Sequence, residues 1–344
     1  MIILFAGKYT GEYNRDKIIL EGLKKRNDVT IIEYKFNRKK DFSREKFIRL
    51  NERCDVIYCP SFSHKLVRFI KKKTTKPLVF DPLISNYLTK VFDYKNVKKW
   101  SPRGVKNYLK DKIPFKACDI LIADTEQHKK YYNKTFGIPL KKIHVLPVGA
   151  NTSKFKPILK DPNHPLIIGF YGGFIPLQGT KFIIEAANIL KENNSIYFHL
   201  IGTGYEYEKM QKLVNELNLR NINFEGWVDY NELPEKIASF DICLGIFGDT
   251  MKAKLVVPNK IYHYAAMGKP IITMDSPAIK EVFTENKNIE LVENNGKELA
   301  NKILKLAGNR NKKNELGKNA RELVKSKFNE DKIAEKLIAI IKSI

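Results

Sequence analysis

Short runs rich in β-branched and aromatic residues alternate with helix-period segments along this chain, and the alternation starts twice. MIILFA, VTIIEY, DVIYCP, PLVFD, CDILIAD and IHVLPV make the first series, with helices near residues 14–25 and 64–73 between them. The second series begins at LIIGFY and runs through IYFHLI, INFEG, DICLGI, PIITM and IELVE. Strands separated by helices pair in parallel, and the helices cover both faces of the sheet. Two such series predict an α/β chain of two Rossmann-like, doubly wound domains facing a cleft, followed past Gly296 by helices alone.

At 344 residues the chain exceeds what one hydrophobic core serves. The stretch GANTSKFKPILKDPNHP, residues 149–165, has three prolines and no regular period, the composition of a linker. The predicted domains are therefore residues 1–155 and 156–327, with a last helix over 328–344 packing back on the first domain. No stretch reaches the roughly 18 apolar residues of a membrane helix. MIILFA is too short for a signal peptide. The expected location is the cytoplasm, peripheral to the inner face of the membrane. Cys54, Cys59, Cys118 and Cys243 lack metal-ligand spacing and read as buried thiols in a reducing compartment.

Charge separates the two halves. Residues 1–150 carry 34 Lys and Arg against 15 Asp and Glu, a net +19, which leaves +5 of the total +24 for the remainder. A half this basic should meet an anion: a phosphorylated acceptor, lipid headgroups or nucleic acid. No helix-turn-helix, zinc knuckle or RNA-recognition motif accompanies the charge, so no nucleic acid is expected.

In open parallel sheets ligands lie beyond the carboxyl ends of the strands. After LIIGFY come Gly172 and Gly173, which leave backbone N–H groups uncovered. The turn Phe174–Gln178 and Gly179 follow, with Thr180 as the expected helix cap. A helix start of this kind seats phosphate. The next strand ends at Gly202 and Gly204, without the third glycine of a dinucleotide fingerprint. FEGWV sets Trp227 and Val228 at a strand tip, where backbone groups suit a nucleobase edge and the indole equally suits domain packing. In VVPNKIYHYAAMGKP, Pro258 suits a first helical turn, with Asn259, Lys260 and His263 just inside the helix and Gly268 ending it. A lysine there opposes the helix dipole, which calls for a functional reason.

These segments, together with YNRDKIILEGLKK, FDPLIS, CDILIADTEQHKKYY and IHVLPVGANTSKFKP, occur in an order and spacing that resembles the family 4 (group 1) retaining glycosyltransferases of the GT-B superfamily. The resemblance covers essentially the whole chain. It implies an acceptor domain followed by a nucleotide-sugar domain, and a glycosyl transfer with no metal and no cofactor beyond the nucleotide-sugar co-substrate. The implied acceptor is a glycan or a lipid-linked one, and the basic first half would touch an anionic membrane. Other activities of the same fold, epimerisation or phosphorolysis, remain alternatives, as does a basic nucleic-acid-binding protein.

The resemblance also assigns residues. Donor-binding positions are Gly172, Gly173, Phe174, Gln178, Gly179, Gly202, Gly204, Trp227, Val228, Lys252, Lys254, Pro258, Asn259, Lys260 and His263. Asp81, His64 and Lys260 are the catalytic candidates; Gly7, Gly11, Arg15 and Asp124 lie on the acceptor side. Two departures stand out. Relatives carry an arginine after the first glycine of the 172 loop and a lysine before its last, where this chain has Gly173 or Phe174 and Gln178. A ribose-binding glutamate is replaced by His263. Lys252, Lys254 or Lys260 must then supply the positive charge for the diphosphate.

Overall fold

The computed structural model describes residues 1–10, 13–159 and 165–343, which form two compact units. Unit 1 comprises residues 1–149 together with 330–344, and unit 2 residues 150–329.

In unit 1, β1 (Ile2–Gly7), β2 (Thr30–Lys35), β3 (Val56–Cys59), β4 (Leu78–Phe80), β5 (Ile120–Ala123) and β6 (Ile143–Val145) form one all-parallel sheet in the order β2-β1-β3-β4-β5-β6. The crossovers are α1 (Asn14–Lys24), α2 (Arg44–Glu52), α3 (His64–Lys71), α4 (Pro102–Ala117) and α5 (Glu126–Phe136). Thr125 caps α5 by accepting from His128 N at 3.0 Å, and Gly137 ends it at φ 66°. The helix α4 had no counterpart in the sequence reading. Ser101 starts it by accepting from Gly104 N at 3.1 Å, with Pro102 in the first turn.

Unit 2 repeats the plan with β7 (Leu166–Tyr171), α6 (Thr180–Ile189), β8 (Ile196–Ile201), α7 (Tyr207–Glu216), β9 (Ile222–Phe224), α8 (Leu233–Ala238) and β10 (Ile242–Leu244). It continues through α9 (Asn259–Ala266), β11 (Ile271–Met274), α10 (Pro277–Lys280), β12 (Glu290–Val292), α11 (Gly296–Ala307) and α12 (Arg310–Lys327). Its strand order, β12-β11-β10-β7-β8-β9, reverses direction between β7 and β10. That reversal is the place where a doubly wound sheet opens a ligand crevice. In unit 1 the corresponding point lies between β1 and β3.

The cores follow the apolar faces of these elements. Ile168, Phe170, Ile183, Leu200, Leu244 and Ile272 are buried together in unit 2, each contributing about 1.5–3 kcal/mol by leaving water. The last helix, α13 (Glu330–Ile341), places Ile333, Leu337 and Ile341 in the core of unit 1. It crosses α1 at Gly22, where a methyl group would come 2.1 Å from the Glu330 carbonyl oxygen. Lys25 Nζ reaches the Glu330 carboxylate at 2.7 Å beside that crossing. The four cysteines are buried, with no disulfide among the described residues.

Candidate functional site

The end of β7 and the end of β8 meet at two glycines. Gly172 N donates to Ile201 O at 2.9 Å, and Gly202 N donates to Gly226 O, drawing the loop after β9 into the same place. A side chain at Gly202, where φ is +130°, would lie 2.0 Å from the Gly172 carbonyl oxygen, so only glycine permits this approach. Gly204 is as confined: a methyl there would come 2.7 Å from Phe174 N. Phe174 turns its ring into the core against Tyr207 and Phe224, and its backbone N–H and C=O are taken by Thr203 O and Glu206 N. Its part in the site is to anchor the loop.

The turn that follows is fixed from below. Gly179 has φ 62° and stands as the N-cap of α6, which moves Thr180 one position into the helix. The expected capping role of Thr180 is thereby corrected: its hydroxyl is buried with no hydrogen-bond partner among the described residues. Phe247 N donates to Gln178 O at 2.9 Å and Gly248 N to Leu177 O at 3.2 Å, which pins the stretch after β10 onto the same turn.

Lys260 enters from the opposite side. Pro258 is the N-cap of α9, one residue earlier than a first-turn position, so Asn259 and Lys260 open the helix. The Lys260 side chain is buried, its ammonium 2.6 Å from Gln178 Oε1 and 3.5 Å from the Phe170 ring centre. A methyl group on Gly172 would come 2.7 Å from that nitrogen. No carboxylate among the described residues pairs with it, and burial pushes its pKa well below the usual lysine range. A buried cation with a single neutral partner, set against two bare glycine turns and a helix start, is a receptor for an anion.

The other unit 2 candidates divide. Lys252 is buried and Lys254 exposed. Trp227 is 73% exposed, so it does not serve as core packing, and Val228 beside it is half-buried. His263 is enclosed: it stacks on Phe155 at 3.8 Å between ring centres, and its Nδ1 and the Tyr171 hydroxyl share a hydrogen bond of 2.6 Å. Burial, with Lys154 adding to it, pushes its pKa down to about 3, so the ring is neutral.

Unit 1 gathers a second group of polar side chains at the ends of its strands. Asp81, after β4, receives Arg15 Nε and the Tyr58 hydroxyl on Oδ2, both at 2.7 Å. The other guanidinium nitrogens of Arg15 donate to the carbonyls of Pro147 and Leu146, the first at 2.5 Å and the second at 2.9 Å. Arg15 is fully buried and bonded through all three of its nitrogens, so it ties α1 to the end of β6. Asp16 accepts from the Ser61 hydroxyl at 2.7 Å while its Oδ2 is buried without a partner among the described residues, and burial raises its pKa to about 7. Asp124, after β5, accepts from His128 Nδ1 at 2.6 Å. His128 Nε2 is buried and has no partner among the described residues.

Residues 165–309, about four fifths of unit 2, match the family model of glycosyl transferases group 1. This unit belongs to the group 1 glycosyltransferases. Among curated relatives, the poly(ribitol-phosphate) alpha-N-acetylglucosaminyltransferase of Staphylococcus aureus is 30% identical over 56% of this chain and 39% of its own. An uncharacterized glycosyltransferase of Methanocaldococcus jannaschii is 24% identical over 63% and 57%. The chain thus spans less than two thirds of the curated relatives it matches. Among solved structures, HepE of Anabaena in complex with UDP aligns over 100% of both chains with a TM-score of 0.76 at 16% identity. The sucrose-phosphate synthase of Thermosynechococcus elongatus aligns over 99% of this chain and 98% of its own, with a TM-score of 0.75 at 15% identity. The two parallel sheets with their covering helices therefore have the GT-B fold.

In unit 2 the structure brings Gly172, Gly202, Gly204, Gln178, Gly179 and Lys260 together, and Gly173 sits in the same loop. It gives His64 a packing role. Its Nε2–H donates to Ile84 O at 3.1 Å, its ring stands edge-on to Phe80, and burial lowers its pKa. Asp111 holds the turn that His64 touches, accepting from Ser85 Oγ and Tyr87 N. Asp81, a catalytic candidate in the sequence, is paired inward with Arg15 and Tyr58. Gly7 has φ +136° and packs over Ser63, while Gly11 lies outside the described residues. The sequence reading missed Asp16, Tyr58 and His128. The Asp124–His128 pair was visible as an i, i+4 spacing across a strand-to-helix turn; Tyr58 was hidden in an all-apolar strand.

Proposed function

We propose that the chain is a retaining, metal-independent family 4 glycosyltransferase that moves a sugar from a UDP-sugar, bound by unit 2, to a glycan or lipid-linked acceptor bound by unit 1. The observation that carries this reading is the Lys260 ammonium, buried beside Gly172 and bonded only to the neutral Gln178. Relatives place a lysine at the position of Gln178. Here the cation comes from the start of α9, so a diphosphate would find its countercharge at the same loop from a different element.

As the bond between the sugar and the diphosphate breaks, negative charge grows on the leaving phosphate oxygens. Lys260 and the N–H groups of the helix start stabilise that charge more than they stabilise the bound donor. Acceptor attack on the face the diphosphate leaves gives retention. The choice of UDP is supported by HepE, which was solved with UDP and with UDP-glucose.

The acceptor side has a matching surface. On α4, Val105, Leu109 and Ile113 recur one turn apart and are exposed, with Trp100 81% exposed ahead of them. They line a groove of about 1030 Å³ against α3, flanked by Lys65, Arg68, Lys72 and Lys106. An apolar stripe with basic borders suits a peripheral contact with anionic lipid. No helix among the described residues is long and apolar enough to cross a membrane.

The test is a thermal-shift panel of UDP-, GDP-, ADP- and TDP-sugars on the wild type and on Lys260→Met, with and without EDTA. Stabilisation by UDP-sugars that EDTA leaves intact and the variant loses is expected. An equal shift in the variant, or a shift that requires a divalent cation, would overturn the reading. The anomeric configuration of the product, read by NMR, decides retention.

A further inference from the structure

A cleft in unit 1, of about 1370 Å³, lies where β1 and β3 part and the sheet order reverses. A doubly wound sheet places its ligand at that point. Four of the elements that build the cleft bring basic side chains to it. The end of β1 supplies Lys8, the end of β2 and the turn after it supply Lys35, Arg38, Lys39 and Lys40, and the flanking helices add Lys65 from α3 and Lys110 from α4.

Among the carboxylates of the lining there is only Asp41, which accepts from the Arg38 backbone N–H at 3.0 Å. None of the seven basic side chains pairs with a carboxylate among the described residues. Elsewhere on the same unit Lys24, Lys25, Arg26 and Lys71 do pair, at 2.5–2.9 Å. Unpaired cations are common over the rest of the unit as well, so what distinguishes the cleft is the convergence of seven of them, with one carboxylate, on a single concavity. Like charges focused in a concavity repel one another when it is empty and raise the local concentration of anions. One phosphate is satisfied by two or three such donors. Seven ask for several phosphates, and Thr10 and Asn37 on the same walls offer uncharged groups for hydroxyls between them.

We propose that this cleft is the acceptor subsite and that the acceptor carries several phosphate groups linked through hydroxylated units. The proposal rests on the glycosyl-transfer reading of the chain. It goes beyond that reading by naming the acceptor's chemistry. Its shared chemistry, repeated phosphate, has two sources, a soluble polyol-phosphate chain or phosphate headgroups at a lipid surface, and the experiment separates them.

Binding to the full chain is measured with four probes: a glycerol-phosphate oligomer, the same polyol without phosphate, phosphatidylglycerol vesicles, and single-stranded DNA of equal phosphate number. The proteins are the wild type, a cleft reversal (Arg38→Glu, Lys39→Glu, Lys40→Glu) and a matched reversal away from the cleft (Lys130→Glu, Lys134→Glu, Lys141→Glu). The expected result is tight binding of the oligomer or of the vesicles, whichever is the source, weakened tenfold or more by the cleft reversal and little by the matched one. The slope of log affinity against log salt should drop by about two to three for the cleft reversal. Equal losses in both reversals, equal binding of the phosphate-free polyol, or DNA bound as tightly as either phosphate probe would overturn the proposal. UDP-induced stabilisation is recorded on the same samples. Its retention in the cleft reversal shows that the variant folds. Its absence in the wild type would count against glycosyl transfer without touching the phosphate result.

Discussion

Lys260 and Gln178 share one hydrogen bond, 2.6 Å from ammonium to carboxamide oxygen, in a buried place where no carboxylate among the described residues offsets the charge. The pair is poised for an anion. In the empty protein burial lowers the lysine pKa, so the unfolded chain binds a proton more tightly than the folded one and stability climbs with pH between the lowered value and the ordinary one.

Arrival of a diphosphate should reverse the shift. Above the lowered pKa, donor binding then takes up a proton, and affinity falls by up to about tenfold per pH unit. Calorimetric titration of UDP in two buffers of different ionisation enthalpy measures the uptake. Identical heats in both buffers across the alkaline range would show that Lys260 does not meet the ligand's charge.

Replacing Gln178 by glutamate tests the same pair from the other side. A carboxylate at that position gives Lys260 an ionic partner, so the empty protein is expected to melt no lower than the wild type. The donor is then repelled, with affinity for UDP falling at least about a hundredfold, some 3 kcal/mol. A variant that binds UDP normally would place the diphosphate elsewhere.

Gly202→Ala puts a methyl group against the Gly172 carbonyl oxygen, at 2.0 Å before anything shifts, and at a φ of +130°. The loops after β7 and β8 must separate. The expected cost is about 2 kcal/mol or more, with loss of the UDP-induced shift even below the melting point. Denaturant unfolding together with thermal shift separates the two effects.

Asp16 gives a pH dependence of opposite sign to that of Lys260. Its folded pKa is raised to about 7 by burial, so between about pH 4 and 7 the folded protein holds a proton that the unfolded chain has released. Its contribution therefore falls as pH rises through that window and is flat above it. Asp16→Asn keeps an acceptor for Ser61 and removes the titration. The variant should gain on the order of 4 kcal/mol at most at pH 8 and little at pH 4. A gain independent of pH would mean that the carboxyl is not buried in the way described.

The two-sheet plan was readable because it rests on local periodicity. Branched, apolar runs such as LIIGFY and DICLGI leave a strand no other way to be satisfied than burial on both faces, and each is followed by a helix. Gly172, Gly202 and Lys260 were also readable, since strand-end glycines and a cation at a helix start break the local rules that a purely structural segment obeys. The helix α4 escaped notice because basic and aromatic residues crowd its start and Pro114 interrupts its end, which obscures the helical period.

What the sequence determined by itself was the order of elements, the strand ends on which side chains cluster, and the excess of positive charge in the first half. These depend on neighbours three or four positions away, or on composition alone. Only the tertiary structure decided which distant residues meet. It placed the Lys260 ammonium on Gln178, 82 positions earlier, spent Arg15 and Asp81 on each other across 66, and gathered cations from β1, β2, α3 and α4 around one cleft with no carboxylate pair among the described residues. Pairing across such separations depends on the crossing of a parallel sheet and on burial, which set both distance and dielectric, and neither is written in any local run of residues.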